Sequence, residues 1–240
     1  MFADHFSALS ARYAAYRPHY PPSLVDLLAD RAPTTALAWD AGCGSGQLSV
    51  ALARRFTHVI ATDPSRAQLD AAERHASIDY RCEPAETSSL ASGSADLIVA
   101  AQAAHWFDWP GWLAEVARVA ASNALVALVS YGNVSGELLA PYRAAVAPYW
   151  PPGREHVDNG YRDLAFPWSA VDAPALELTE RWTRDELYGY VTTWSATERM
   201  VRAIGPAALD QLRDTLAAIW PDNEPREIHW PLTVKLARVG

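Results

Sequence analysis

The chain has 240 residues, of which half are apolar and a fifth are charged, a balance typical of globular proteins and too apolar for a disordered one. Its formal net charge is −8, and no run of Lys or Arg could follow a phosphate backbone, which excludes nucleic acid and anionic membrane surfaces as partners. The length suits a single α/β domain with a full hydrophobic core.

The first ten residues lack a basic region followed by an apolar core. No apolar run further along is long enough to span a bilayer, so we expect a cytoplasmic protein. A helix is predicted at 21–30, and from there strand-like and helical runs alternate through the first half of the chain. The strand-like runs are LAWDA, HVIATD, ADLIVAAQ and NALVALVS, and the helical runs between them are QLSVALARR, SRAQLDAAERHA and PGWLAEVARVA.

Strands that are apolar on both faces and separated by helices predict a parallel sheet covered on both sides. We therefore expect a doubly wound α/β fold, in which ligands bind at the edge where the strands end. From residue 132 the chain becomes rich in Pro, Trp and Tyr, which we interpret as an insertion covering that edge. Beyond it we predict a strand at 175–182, capping boxes of Thr183 with Glu186 and of Ser195 with Glu198, a helix from Pro206 to about Trp220, and a last strand near 226–239.

Three alternating glycines follow the first predicted strand and its final acid, Asp40. Glycines between a strand and a helix let the backbone turn sharply and approach a ligand. The spacing of Gly42, Gly44 and Gly46 is GxGxG, whereas the dinucleotide fingerprint is GxGxxG. A carboxylate at Asp40 would repel a pyrophosphate and attract an ammonium or sulfonium group, so the loop predicts a cationic ligand.

The second predicted strand ends in Asp63, 21 positions after Gly42, where about 20 are expected for an acid that binds a ribose. An ionised carboxylate can accept hydrogen bonds from both ribose hydroxyls. The alternative is that Asp63, Pro64 and Ser65 only cap the following helix, for which their composition is also suited. The spacing favours the ligand role.

The segments DAGCGSG, TDPS and ADLIVAAQAAHWFDW together resemble a class I S-adenosylmethionine-dependent methyltransferase. AYRPHYPPSLVDLL, HWFD and TWSA are similar to the small-molecule branch that includes trans-aconitate methyltransferase, and the resemblance covers most of residues 10–130. We expect a Rossmann-like, seven-stranded, mostly parallel sheet with helices on both faces and a helical lid insertion. The single domain 1–240 is divided into an N-terminal lid segment 1–32, a cofactor-binding core 33–131, an acceptor-site lid 132–200, and the last helix and strand 201–240.

The resemblance implies that S-adenosylmethionine is the cofactor and S-adenosylhomocysteine the product. The glycine loop and its leading acid would contact the methionine part, the acid after the second strand would bind the ribose, and Ala85, Glu86 and Gln102 would flank the adenine. The cofactor-binding residues expected are Tyr13, Arg17, Asp40, Gly42, Cys43, Gly44, Gly46, Asp63, Pro64, Ala85, Glu86 and Gln102.

Some patterns are absent from the sequence. Cys43 has no base spaced to activate it, so we interpret this residue as packing within the loop. Cys43 and Cys82 have no CxxC spacing, so neither a disulfide nor a metal site is expected. There is no [DN]PP[YF] motif, which weighs against a nucleic acid base as acceptor. The turn before the fourth strand-like run, NALVALVS, contains only Ser122 and Asn123 where many relatives have glycines.

His105 follows the run ADLIVAAQ on the ligand edge and is the candidate general base beside the methyl group. The alternative is that His105 and Trp106 only form the wall of the pocket. Arg17 could pair with an anionic acceptor or the cofactor carboxylate, or it could be a surface residue. The expected acceptor-binding residues are Tyr16, Tyr20, Trp106, Tyr190 and Trp194.

Methyl transfer to a small molecule is the function that the sequence favours, with a carboxylate, a hydroxyl or a heteroaromatic nitrogen of a secondary metabolite as acceptor. Two alternatives stay open at this point. A non-catalytic protein that binds S-adenosylmethionine would carry the same cofactor residues. An NAD-dependent oxidoreductase would share the sheet and Asp63, although the GxGxG spacing and Asp40 oppose it. The sequence does not decide between a monomer and a homodimer.

Overall fold

The computed structural model describes residues 16–136 and 138–240. Its first half alternates strands and helices, as the apolar runs predict. The elements are α1 (Pro22–Arg31), β1 (Leu37–Ala41), α2 (Gln47–Leu52), β2 (His58–Thr62), α3 (Arg66–Asp70), β3 (Ile78–Arg81), β4 (Ala95–Ala101), a 3-10 turn (Ala104–Trp106), α4 (Trp109–Val119) and β5 (Ala120–Tyr131).

The second half is richer in helices and closes the sheet. Its elements are α5 (Ala140–Val146), a 3-10 turn (Ala147–Tyr149), α6 (Arg154–Asp158), β6 (Ser169–Val171), β7 (Leu176–Trp182), α7 (Arg184–Thr192), α8 (Ser195–Ile204), α9 (Ala207–Ile219) and β8 (Arg226–Val239). Residues 169–182 of the predicted lid insertion therefore lie partly in the sheet.

The strands form one sheet in the order β3-β2-β1-β4-β5-β8-β6, and β7 also pairs with β8. The first five strands are parallel, whereas β8 is antiparallel to β5. β6 pairs with residues 236–238 of β8 and β7 pairs with residues 226–232, in registers offset by one residue. The two short strands thus act as one interrupted edge strand in the seventh position. The predicted Rossmann-like, mostly parallel fold is confirmed.

Apolar side chains cover both faces of the parallel strands, which explains why these strands are apolar throughout. Along each strand, successive residues point to opposite faces. One face packs against α1 and α2 through Ala38, Val59, Leu97, Val99, Leu125 and Ala127. The other face packs against α4 through Trp39, Ile60, Ile98, Ala100, Val126 and Leu128.

Three details differ from the sequence prediction. α3 ends at Asp70, because after Ala72 the helical run up to Ala76 has no residue that buries an apolar side chain. The edge strand β3 was not predicted, since its residues are only partly buried and lack an apolar run. Ser195 does not cap α8, because Trp194 is the N-cap residue and makes no side-chain cap. Thr183 and Glu186 do form the predicted capping box.

The turn that lacks glycine is accommodated by Asn123. Its φ is +59°, in the left-handed region that Asn tolerates better than most residues. The missing glycine at this turn therefore does not prevent α4 from running directly into β5.

Candidate functional site

A cavity of about 560 Å³ opens at the carboxyl ends of β1, β2 and β4. This is the edge at which parallel α/β sheets bind ligands. The loops after the strands bring nine of the predicted cofactor residues into its wall, namely Asp40, Gly42, Cys43, Gly44, Asp63, Pro64, Ala85, Glu86 and Gln102.

The glycine loop requires glycine for its backbone conformation and for its close contacts. Gly42, Gly44 and Gly46 have φ values of +71°, +55° and +78°. A Cβ on Gly42 would lie 2.6 Å from the Ala103 Cβ, and one on Gly46 would lie 2.9 Å from the Tyr80 Cε1. Gly46 itself lies outside the cavity wall, so it shapes the turn into α2 rather than the binding surface.

Asp40 is buried beside this loop, with 1% of its surface exposed. Its Oδ2 accepts a hydrogen bond of 2.6 Å from the Ser49 hydroxyl, whereas Oδ1 is buried and has no hydrogen-bond partner among the described residues. The pKa of Asp40 is raised to about 7, mainly by burial; the Ser49 hydrogen bond lowers it, and repulsion from Asp63 adds to the increase. A cationic group would supply what this carboxylate lacks, so the site fits a ligand with an ammonium or sulfonium group.

The Asp63 carboxylate also faces the cavity. Its Oδ2 accepts from the Gly44 N–H at 2.9 Å and its Oδ1 accepts from the Ser65 N–H at 2.8 Å. Ser65 is the N-cap residue of α3, so Asp63 braces both the glycine loop and the turn into that helix. A carboxylate oxygen can accept more than one hydrogen bond, so this bracing is compatible with binding hydroxyl groups.

Gln68 is a site residue that the sequence analysis missed. It lines the large cavity and is 4% exposed, and its Oε1 makes no hydrogen bond within residues 16–136 and 138–240. A buried amide oxygen without a partner is costly, which indicates that a ligand supplies the partner. The first turn of the helix after Asp63 carries it, but sequence alone does not show which way that turn faces.

Glu86 and Gln102 are each tied to neighbouring backbone. Glu86 Oε1 accepts from the Asp108 N–H at 2.8 Å, at the start of α4. Gln102 donates from Nε2 to the Tyr131 carbonyl at 2.7 Å, and its φ of +54° is unusual for a residue other than glycine. Such strain is often found at functional sites.

A second cavity of about 70 Å³ adjoins the first one and shares Gln102, Trp106 and Tyr131 with it. Arg17, a predicted cofactor residue, lines this second cavity instead of the first. It donates to the Thr193 carbonyl at 3.3 Å and lies 5.6 Å from the centre of the Tyr190 ring. Five of the other residues around this space are aromatic or basic, namely His105, Trp150, Arg154, Tyr190 and Trp194.

Four of the five predicted acceptor residues line one or both cavities. Tyr20 lines the large cavity and Trp106 lines both cavities, while Tyr190 and Trp194 line the second cavity with ring centres 5.6 Å apart. Tyr16 lines neither cavity, because its ring packs against Gly189 in α7. Tyr13 lies outside the described residues, so the structure gives no position for it.

His105 borders the second cavity and not the large one. Its Nδ1 lies 2.9 Å from the Tyr161 hydroxyl. Burial, and then the positive charges of Arg154 and His156, lower the pKa of His105 to about 3. The imidazole is therefore neutral near neutral pH, and it is a weak base in this environment.

Within the described part of the chain, no group of three or more His, Cys, Asp or Glu side chains could hold a metal ion. None of the helices described is both long and apolar enough to cross a membrane.

Known proteins provide an independent comparison. A family model described as a methyltransferase domain matches residues 39–128. The chain is 30% identical over 251 residues to a Dictyostelium discoideum protein assigned as a methyltransferase, which covers 99% of this chain and 95% of that protein. A Saccharomyces cerevisiae protein assigned as S-adenosylmethionine-dependent is 31% identical over 131 residues, covering 51% of this chain and 45% of its own length.

A solved structure is similar over nearly the whole chain. It is that of a protein from Anaeromyxobacter dehalogenans assigned as a type II methyltransferase, with 41% identity and a TM-score of 0.85. The match covers 93% of this chain and 98% of that one.

A Rossmann-like sheet with a glycine loop and an acid after the second strand defines the class of nucleoside-binding α/β proteins. Within that class, the chain belongs to the S-adenosylmethionine-dependent methyltransferases. Its cofactor is S-adenosylmethionine. This membership decides between a methyltransferase and an NAD-dependent oxidoreductase in favour of the former.

Proposed function

We propose that this methyltransferase acts on a small molecule held where the two cavities meet. The observation that supports the proposal is the wall formed by Gln102, Trp106 and Tyr131, which borders both spaces. When bound, S-adenosylmethionine supplies an electrophilic methyl group. The protein holds the acceptor in line with that group and excludes water.

The cofactor fits the large cavity in this proposal. Asp40 and the backbone of Gly42 and Gly44 would hold the methionine part, and Asp63 would bind the ribose. Ala85 and Glu86 would flank the adenine. Because Gln102 borders both cavities, we place it beside the reacting groups rather than beside the adenine.

The acceptor atom is a carboxylate oxygen, a hydroxyl oxygen or a heteroaromatic nitrogen, and the second cavity favours the carboxylate. Arg17 and Arg154 both line it, and guanidinium groups bind carboxylates well. A carboxylate is ionised at neutral pH and needs no base, which suits a neutral His105. This choice agrees with the trans-aconitate methyltransferase branch that the sequence resembles. The aromatic rings would stack on a flat acceptor.

Calorimetric titration with S-adenosylmethionine and S-adenosylhomocysteine tests the cofactor site. The wild type should bind both compounds, and Asp63→Ala should lose at least about tenfold in affinity, the size expected for a charge-assisted hydrogen bond. Asp214→Ala, an exposed change on α9, is the matched control and should bind normally. Because Asp63 also braces the loop, a melting curve must show that its variant is folded. Failure of the wild type to bind either compound would reject the proposed site.

Methyl incorporation into a panel of carboxylates, phenols and N-heterocycles then tests the acceptor. We expect transfer to a planar carboxylate. Arg154→Gln should raise the KM for that acceptor and leave the affinity for S-adenosylhomocysteine unchanged, because Arg154 lines only the second cavity. Transfer to a phenol or an N-heterocycle alone would reject the carboxylate preference but not the enzyme class.

A further inference from the structure

The His105 side chain contacts the side chain of Tyr161, which lies in a distant part of the sequence. The 3-10 turn after β4 carries His105, and the segment after α6 carries Tyr161. The His105 Nδ1 lies 2.9 Å from the Tyr161 hydroxyl, and the two rings stack with centres 6.1 Å apart and 24° between their planes. Nε2 of His105 makes no hydrogen bond to any residue the structure describes, and the ring borders the second cavity.

Burial and two backbone hydrogen bonds fix the position of Tyr161. Its side chain is fully buried, and its φ of +57° is unusual for an aromatic residue. Its N–H donates to the His156 carbonyl at 2.7 Å, and its carbonyl accepts from Lys235 Nζ in β8 at 3.1 Å. The conformation is thus fixed from both sides, and it points the phenol at one nitrogen of one imidazole.

Basic side chains and their carboxylate partners lie around His105. Arg154 and His156, both in α6, face the ring and disfavour its protonation, in addition to the effect of burial. Arg17 lines the same cavity from the N-terminal side. Each of the two basic residues in α6 is paired with a carboxylate. Asp158 pairs with Arg154, and Asp163 pairs with His156. A neutral imidazole therefore faces the cavity, with one N–H and one lone pair on the ring.

We propose that the Tyr161 hydroxyl donates to Nδ1 of His105 and so fixes the tautomer that carries its proton on Nε2. The chemical reason is that the bare nitrogen of a neutral imidazole accepts a hydrogen bond better than a phenol oxygen does. His105 then presents an N–H donor to the second cavity, and Tyr161 is a positioning residue that acts through it.

This inference rests on the proposed function, in which the second cavity receives the acceptor, and it names the chemistry of that acceptor. A donor binds and orients a group with free lone pairs, but it cannot remove a proton. The acceptor lone pair forms the new bond to the methyl carbon, the electrons of the carbon–sulfur bond remain on sulfur, and no proton passes to His105. The enzyme would therefore take acceptors that arrive already deprotonated.

Nitrogen-15 NMR of histidine-labelled protein tests the tautomer without any acceptor. The His105 signals are assigned by their absence in His105→Gln. In the wild type they should show a single tautomer protonated on Nε2, unchanged between about pH 5 and 9. In Tyr161→Phe, which keeps the ring and removes the hydroxyl, they should move toward a mixture of tautomers. Tyr149→Phe is the matched control and should leave them unchanged.

A wild-type signal protonated on Nδ1, or one that titrates in that range, would overturn the proposal. So would a Tyr161→Phe spectrum identical to that of the wild type. Once an acceptor is known, Tyr161→Phe should lower kcat by roughly tenfold and leave the KM for S-adenosylmethionine unchanged. A lower kcat together with a higher KM for S-adenosylmethionine in Tyr161→Phe would indicate a merely structural role and would overturn the proposal. If the protein shows a fixed His105 tautomer but does not bind the cofactor, the proposed function is rejected, whereas the assignment of the Tyr161–His105 hydrogen bond is still supported.

Discussion

Asp40 illustrates how a single buried carboxylate can oppose stability and support binding. Its pKa in the folded protein is raised to about 7, mainly by burial. A raised pKa in the folded state means that the group favours folding when protonated. That contribution is complete below the unfolded value and is lost as the pH rises through about 7.

Asp40→Asn should therefore raise the melting temperature of the ligand-free protein at pH 8, and the gain should shrink toward pH 5. The same change should weaken binding of S-adenosylmethionine, because the charge that attracts the cationic ligand is gone. Wild-type affinity should fall by up to about tenfold per pH unit below the pKa, and the Asn variant should lack this part of the pH dependence. Melting curves and calorimetry measure both effects, with Asp214→Asn as the control. A variant that is both less stable and equally tight in binding would contradict this account.

Gln68 is a second buried polar residue whose replacement should weaken ligand binding without loss of stability. Its buried Oε1 has no partner among the described residues, so Gln68→Leu should not destabilise the ligand-free protein. Its affinity for S-adenosylhomocysteine should fall by roughly tenfold, because a ligand hydrogen bond is lost. Gln211→Leu on the exposed face of α9 should change neither value. Unchanged affinity in Gln68→Leu would show that the ligand makes no hydrogen bond to this amide.

Single residues differ in how far the sequence could predict them. Asp40 and Asp63 could be predicted at the ligand edge because Asp40 is the penultimate residue of β1 and Asp63 directly follows β2, and both line the cavity. Gln68 was missed because its role depends on the rotation of a short helix. Arg17 was expected at the cofactor but lines the second cavity, since its position depends on contacts with α7 and the residues after it that lie far away in the sequence.

At the scale of elements, the glycine loop and α2 depend on one close approach to β3. Gly46→Ala should lower the free energy of unfolding by about 2 kcal/mol or more, combining a left-handed backbone with a steric clash against Tyr80. Gly93→Ala is the matched control, because Gly93 has a φ of +69° and no neighbour closer than 4.0 Å. It should show only the backbone cost, about 1–2 kcal/mol. Equal losses in urea unfolding would mean that the contact with Tyr80 adds nothing.

Elements with a strong pattern were predicted better than elements defined by their neighbours. β1, β4 and β5 each contain a mainly apolar run and lie where the sequence predicts them. β3 has no such run, and it is positioned by its parallel pairing with β2. Ser195 has the composition of a capping box, but the helix begins one residue earlier than that motif requires.

At the scale of the whole molecule, ligand binding and folding are linked by mass action. S-adenosylhomocysteine at about one hundred times its Kd should stabilise the folded protein by about 2.7 kcal/mol. The melting temperature of the wild type should therefore rise with ligand concentration, while adenosine at the same concentration should have less effect because it lacks the ammonium group that Asp40 would attract. Thermal shift measurements over a dilution series check this. Equal shifts with both compounds would argue against a role for Asp40 in binding.

The parallel half of the sheet and its ligand edge could be predicted from the sequence, because alternation of strand and helix fixes both. The second cavity could not be predicted. Its wall combines residues from positions 17 to 195, and only tertiary packing brings them together. The predicted lid at 132–200 contributes to this wall but also provides β6 and β7. β7 lies where a strand was predicted at 175–182, whereas β6 was not predicted.

The strand β8 has a consequence for how the protein matures during synthesis. It is the last described element to be made, yet it pairs with β5, β6 and β7, and its Lys235 holds the segment that carries Tyr161. The glycine loop and the strands β1, β2 and β4 that border the large cavity are all made well before this strand. If the acceptor binds at the second cavity, as we propose, the wall of that site is complete only once β8 holds the Tyr161 segment in place.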